Sequence, residues 1–272
     1  MRVPPVVLSV AGYDPSSGAG ITADIKTAAS LGCYCVTCIT ALTVQSTQGV
    51  FSVQTLAPKL IVRTLEALAD DVEIAAVRLG MLGSGAVAAG VAGFLRSRRL
   101  PNVVLDPVIR SSSGAALLNE AGVEVLRMKL IPLCDVMTPN IDEAAALVGA
   151  EPIAGGASWA LALPSLREIA ASLHELGAKA VVITGGHLQS ANDYLSYKVA
   201  SGENHEEIIL GERMESRSTH GTGCAFATAL ACRLALGDKL PQAVHAAKDY
   251  VRKGILSAWP LGKGIGPVNQ FG

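Results

Sequence analysis

The stretch from Val6 to Leu31, VVLSVAGYDPSSGAGITADIKTAASL, decides the architecture. Val6 to Val10 is a short apolar run. Gly12, Gly18 and Gly20 punctuate the loop after it, and Ile21 to Leu31 spaces its apolar residues as a helix does. A strand passing through a glycine-rich loop into a helix is the opening of a βα unit. The alternation continues outward. Cys33 to Ala41, Ile74 to Leu79, Val103 to Leu105, Val136 to Thr138 and Ala180 to Thr184 read as strands. Pro58 to Ala69, Ala86 to Arg98, Gly122 to Leu130 and Leu166 to Leu176 read as helices, and Gly221 to Leu236 and Pro241 to Leu256 as two in succession. Asn140 with Glu143 three residues on predicts a capping box opening a helix through Val148. Ile153 to Pro164 reads as a surface loop, and Tyr194 to Leu210 as an antiparallel hairpin around SGEN. Strands alternating with helices predict an α/β fold with a mostly parallel sheet.

Composition narrows the function classes. The 272 residues are half hydrophobic, and 22 Lys and Arg against 23 Asp and Glu leave a net charge of −1. Nucleic-acid binders carry a basic excess, so no nucleic-acid partner is expected. Every apolar run is broken by Gly, Pro or charge well short of the roughly 20 residues a bilayer needs, so no membrane partner is expected either. The opening MRVPPVVLSVAG has no signal-peptide pattern, and six cysteines are too few for a disulfide framework, which predicts free thiols and a cytoplasmic protein. The series Cys33, Cys35 and Cys38 lacks a fourth ligand for zinc and reads as buried strand.

In a parallel sheet, ligands bind beyond the carboxyl ends of the strands. Five candidate places lie there: Gly12, Asp14, Gly18, Gly20 and Asp24; Asp106 in VVLDPV; Asn140 and Glu143 in TPNIDEA; Gly185 and Gly186 in TGGH, with His187; and Thr219 to Cys224, THGTGC. Gly221 and Gly223 would leave amides free at a helix start, where partial positive charge favours phosphate. Cys224 in that field is expected to have a lowered pKa and to take a proton from an attacking hydroxyl. Asp106 and Glu143 are oxygen ligands of the kind Mg²⁺ accepts. No GxGxxG, GxxxxGK[ST] or GxSxG motif is present, so dinucleotide, P-loop and serine-hydrolase readings fall away.

The motifs AGYDPSSGAGITADIKT, ALTVQST, GMLGS, VVLDPV, TPNIDEA, GGH, STHGTGCAFATALA and GKGIGPVN occur in an order that resembles hydroxymethylpyrimidine/phosphomethylpyrimidine kinases of the ribokinase-like superfamily, across the whole chain. The resemblance implies one three-layer α/β/α domain over residues 1–272 with a mostly parallel central sheet, ATP as phosphate donor, Mg²⁺ and a homodimer. It implies phosphorylation of 4-amino-5-hydroxymethyl-2-methylpyrimidine and then of its monophosphate. Carried over by motif, Gly12, Asp24, Val44, Gln45 and Met81 would line the pyrimidine pocket, and Asp106 and Glu143 would serve the metal. Gly221, Gly223 and Cys224 would form the anion hole and catalytic thiol, and Gly185, Gly186, Thr222 and Lys248 would meet the nucleotide. The pattern departs at Tyr13, where the family carries Ser, and at Ser112 and Thr184, where it carries Lys, which leaves Arg110 as the nearest cation in its segment. Pyridoxal kinases share much of the pattern and are the alternative, and the lost lysines leave a non-catalytic pyrimidine sensor as a remote one.

Overall fold

The computed structural model describes residues 3–111, 114–186, 188–199 and 202–271, which leaves Ser112 and His187 outside the described residues. Along the chain run β1 (Val6–Tyr13), α1 (Gly20–Ser30), β2 (Tyr34–Ser46), β3 (Gly49–Thr55), α2 (Pro58–Asp71), β4 (Ile74–Leu79), α3 (Gly85–Arg98), β5 (Val103–Leu105), α4 (Glu120–Val125), β6 (Val136–Met137), α5 (Ile141–Val148), α6 (Trp159–Glu175), β7 (Ala180–Thr184), β8 (Asp193–Lys198), β9 (Asn204–Ile209), α7 (Thr222–Ala235) and α8 (Leu240–Leu256). The strands form one sheet in the order β3-β2-β1-β4-β5-β6-β7-β8-β9. β2, β1, β4, β5, β6 and β7 are parallel, with antiparallel extensions at both ends.

Successive residues in each parallel strand serve opposite layers, as the pleat requires. Leu8, Val77, Leu79, Leu105 and Ile183 face α2, α3, α5 and α6. Val7, Ala76, Val104, Val136 and Val182 face α7 and α8, whose contacts Ala227, Ala229, Ala231, Ala243 and Ala247 are small and let the helices lie close to the sheet. The α/β/α sandwich expected from the sequence is therefore present. After β1 the chain builds outward through β2 and β3, and after β4 it builds the other way. The crevice beyond β1 and β4 is the switch point where open α/β sheets bind ligands.

Three expectations are corrected. Residues 153–164 are not all loop: α6 starts at Trp159 and carries Pro164 inside. Buried Ala162 and part-buried Trp159 and Leu163 pack on the core, offsetting the backbone bond that the proline cannot make. The helix expected through Leu130 is α-helical only to Val125, continuing as a π turn over Leu126–Leu130 and a 3₁₀ turn over Ile131–Leu133. β3 has no counterpart in the sequence reading. Phe51, Ser52, Val53, Gln54 and Thr55 are all exposed, so this edge strand lacks the alternation that marks a half-buried one. The capping box at Asn140 forms as expected.

Candidate active site

The floor of the crevice is built around a buried arginine. Arg78, next to last in β4, is fully buried on the α7 side of the sheet. Its Nη2 donates to Asp106 Oδ2 at 2.7 Å, and its Nη1 lies 3.4 Å from Asp24 Oδ2. Asp24 also accepts from Ser9 Oγ at 2.5 Å and Thr228 Oγ1 at 2.7 Å, so β1, α1, β4, the β5 end and α7 meet at these two carboxylates. Burial opposes the guanidinium's charge, and Asp24, Cys224 and Asp106 outweigh it, keeping Arg78 protonated. A Cβ on Gly80 would lie 1.7 Å from Arg78 Nη1, so this arginine requires glycine two residues on.

Cys224, third in α7, lies within the electrostatic reach of Arg78, Asp106 and Asp24. Its thiol is not lowered, contrary to the sequence reading. Burial pushes it up to about 11; Asp106 and Asp24 add to the rise, and the pull of Arg78 does not cancel it. The field of a helix start is outweighed by desolvation beside two carboxylates. Asp106 is raised to about 6, by burial first and by Asp24, against Arg78. Glu143 is raised to about 8, by burial first and then by Asp106. Glu143 is held by the Ile109 N–H at 3.4 Å and the Asn140 N–H at 3.0 Å, the second being half of the capping box. Among the described residues no group of three or more His, Cys, Asp or Glu is arranged for a metal.

The rim is a cavity of about 480 Å³ between the β2–β3 turn, the loop before α7 and the C-terminal segment, lined by Gln45, Thr47, Ser111, Thr219, His220 and Ile265 among others. A register shift between Val44 and Gln45 in the β2–β3 ladder turns Gln45 toward it. The C-terminal segment binds both sides, Ile265 N–H donating to the Thr47 carbonyl at 2.8 Å and Val268 N–H to the His220 carbonyl at 3.0 Å. His220 reaches Asp14, whose carboxylate accepts from the Ser16, Gly18 and Ala19 amides and so shapes the glycine loop.

The remaining site expectations divide. Met81 packs with Ala41 and Leu117, against Gly12. Gly221 starts α7 at φ +83°, and a Cβ there would meet the Gly18 carbonyl at 1.8 Å, so its place is set by packing of the two loops. Gly223 is exposed beside Thr222, with open space at its Cβ position, as a helix start that receives a ligand requires. Asp24 is a correction: a fully buried carboxylate with both oxygens engaged belongs to the floor, not to a pocket wall. Val44 is 62% exposed on the hairpin and lines no enclosed wall. Lys248 is also corrected, since its Nζ is bound to Asp193 Oδ2 at 2.7 Å and the Ala191 carbonyl at 2.6 Å, its charge matched there. Asp193 in turn holds the Gly185 N–H at 3.1 Å, and the space beside Gly185 is filled by the Asn192 carbonyl, leaving Gly186 as the exposed glycine of the pair. Arg110 is exposed, its Nη1 3.5 Å from the Gly114 carbonyl.

Sequence reading missed Arg78 and His220. An arginine inside the otherwise apolar IAAVRLG was the available signal for the first; for the second, THGTGC was read for its glycines and thiol alone.

The chain as a whole is similar to known proteins. The thiamine biosynthesis bifunctional protein ThiED of Geobacter sulfurreducens is 41% identical over 97% of this chain, which spans about half (52%) of that longer protein. The hydroxymethylpyrimidine/phosphomethylpyrimidine kinase of Haemophilus influenzae is 39% identical, over 97% of this chain and 96% of its own. The solved ADP complex of Bacillus subtilis pyridoxal kinase superposes with a TM-score of 0.86 at 31% identity, covering 98% of this chain and 97% of that one. With residues 14–269 matching the family described as Phosphomethylpyrimidine kinase, from the Asp14 loop through the C-terminal segment that closes the rim, this chain belongs to that family of ribokinase-like kinases.

Proposed function

We propose that the protein transfers the γ-phosphoryl group of ATP to the hydroxymethyl oxygen of 4-amino-5-hydroxymethyl-2-methylpyrimidine, and then a second phosphoryl group to the monophosphate, in thiamin biosynthesis. The observation that carries this reading is Cys224 at the start of α7, within reach of Arg78 and beside Asp106 at the switch point, in a chain of this family. In the transfer the alcohol oxygen bonds to the γ-phosphorus, the bond to the β-phosphate bridging oxygen breaks, ADP leaves and the alcohol proton must go to a base. Cys224 is that base. Its thiol rests protonated at neutral pH, so the thiolate fraction carries the step, and a loose transition state asks little of it. The Thr222 N–H donates to the Thr219 carbonyl at 3.4 Å, so it is the exposed helix start at Gly223 that faces developing phosphoryl charge. Asp106 and Glu143 fit Mg²⁺: both are oxygen donors, and burial holds both pKa values up, with Asp24 adding to the rise at Asp106 and Asp106 to that at Glu143, which a dication would reverse. Bound there, Mg²⁺ would neutralise phosphate charge.

Pyridoxal phosphorylation is the second reading, favoured by the B. subtilis superposition. The test is a substrate panel with ATP and Mg²⁺: phosphorylated product from the aminopyrimidine alcohol and its monophosphate is expected at a higher kcat/KM than from pyridoxal, and the reverse order overturns the first reading. The chain acts as one cytoplasmic domain in a homodimer; the exposed Leu42, Val44, Phe51 and Val53 of the β2–β3 hairpin support a second copy there, and sedimentation of Phe51→Glu as a monomer checks it.

A further inference from the structure

Asp14, His220 and Gln45 form a line of polar contacts from the glycine loop to the cavity, and the count of protons along it fixes more than the positions do. Asp14 is nearly fully buried and accepts from the Ser16 N–H at 2.8 Å, the Ser16 hydroxyl at 2.7 Å and the Gly18 and Ala19 amides at 3.2 and 2.9 Å. Burial raises its pKa, but His220 and Ser16 outweigh that and hold it below the usual carboxylate range. Asp14 is thus an ionised, accepting group, and His220 Nε2, 2.8 Å from its Oδ2, carries a proton.

The Gln45 amide nitrogen lies 3.2 Å from that same Nε2. A protonated ring nitrogen has no lone pair to receive an amide N–H. At the other end, Thr43 Oγ1 lies 3.0 Å from the Tyr13 carbonyl and 3.2 Å from Gln45 Oε1, with one proton for two acceptors. The two ends of an amide are nearly identical in shape, and turning this one over removes both conflicts. Oε1 then shares the His220 proton, and the NH₂ donates to Thr43, whose own proton goes to Tyr13.

We infer that His220, anchored by Asp14, is a specificity-determining positioning residue: it locks the Gln45 amide with its carbonyl on the His220 side and its NH₂ on the Thr43 side of the cavity. The inference rests on the proposed aminopyrimidine substrate. A 4-aminopyrimidine edge pairs a donor, the exocyclic amino group, with an acceptor, ring N3. A fixed amide meets that edge in one orientation, amino group toward His220. The 4-oxo analogue reverses the edge, with an accepting oxygen and a protonated N3, so it sets acceptor against acceptor and donor against donor. A site whose amide cannot turn rejects such a reversed edge strongly, because its polar groups are left unpaired.

The experiment compares kcat/KM for the aminopyrimidine alcohol and its 4-oxo analogue in the wild type, His220→Leu and His220→Gln, with ATP and Mg²⁺ saturating. His220→Leu frees the amide to turn, and the amino-over-oxo preference is expected to fall about tenfold or more. His220→Gln restores a donor near Nε2 and is expected to restore most of the preference. Both substrates are read on one preparation, so loss of folded enzyme cancels in the ratio. An unchanged preference in His220→Leu, or a preference equally lost in His220→Gln, overturns the inference while leaving the proposed function standing. A wild type that phosphorylates pyridoxal but not the aminopyrimidine overturns the proposed function instead.

Discussion

The floor and the rim of the crevice are both polar, yet they are built under opposite rules. On the floor, Arg78, Asp24 and Asp106 are almost sealed from solvent, and each charge is tolerated only because the others are present. On the rim, Gln45 and His220 are part-exposed and face a cavity, and their contacts govern direction more than net charge. Buried ions cost several kcal/mol each to desolvate, so breaking such a set is expensive; part-exposed hydrogen bonds contribute about 1 kcal/mol. The floor is where stability and phosphoryl chemistry share residues. The rim is free to tune what enters.

The sharpest way to break this contrast is Arg78→Met, which leaves Asp24 and Asp106 buried without their cation. A loss of about 3–5 kcal/mol in urea unfolding is expected. Wild-type stability in this variant would show that the two carboxylates do not depend on the arginine. Cys224→Ala touches the same floor without removing charge at neutral pH, so it should keep the unfolding midpoint and lower kcat by roughly 10² to 10⁴. In the wild type, log kcat should climb between pH 7 and 9, because the thiol titrates near 11 and its thiolate fraction grows throughout that range. A flat profile would remove Cys224 as base.

The rim answers to smaller changes. Gln45→Leu should raise KM for the pyrimidine by about 5-fold to 150-fold, the range for one unpaired buried polar partner, with KM for ATP unmoved; steady-state kinetics with each substrate varied decides it. Glu143 lies between the two regimes. Held near 8 without metal, it is mostly protonated at pH 6.5 and mostly ionised at pH 8.5. Mg²⁺ binding must displace that proton at the lower pH, so half-saturating Mg²⁺ should fall about 25-fold from pH 6.5 to 8.5. Glu143→Gln should abolish this dependence. The smallest effect belongs to an exposed ion pair: Arg98→Ala breaks a 2.7 Å contact with Asp70 and should cost less than about 1 kcal/mol in the same urea assay that reads Arg78→Met.

What could be read from the chain follows from where its information is local. The parallel strands, the Asn140–Glu143 cap and the helix start at THGTGC each rest on residues within a few positions of one another, so periodicity, Gly and Asn announce them. β3 stayed hidden because an edge strand exposed on both faces has no burial pattern to show, and α6 because Pro164 argues locally for a break that burial of its neighbours overrides.

The amino-acid sequence by itself determined the α/β architecture, the family and the segments that would meet at the carboxyl ends of the strands. Tertiary structure alone decided which of those residues touch. Asp24 and Arg78 are 54 positions apart and Gln45 and His220 are 175 apart, and neither pairing exists until the sheet and α7 close. The Cys224 thiol turns from an expected low pKa to about 11 for the same reason: the helix start that would lower it is local, while the burial and the two carboxylates that raise it are assembled from distant strands.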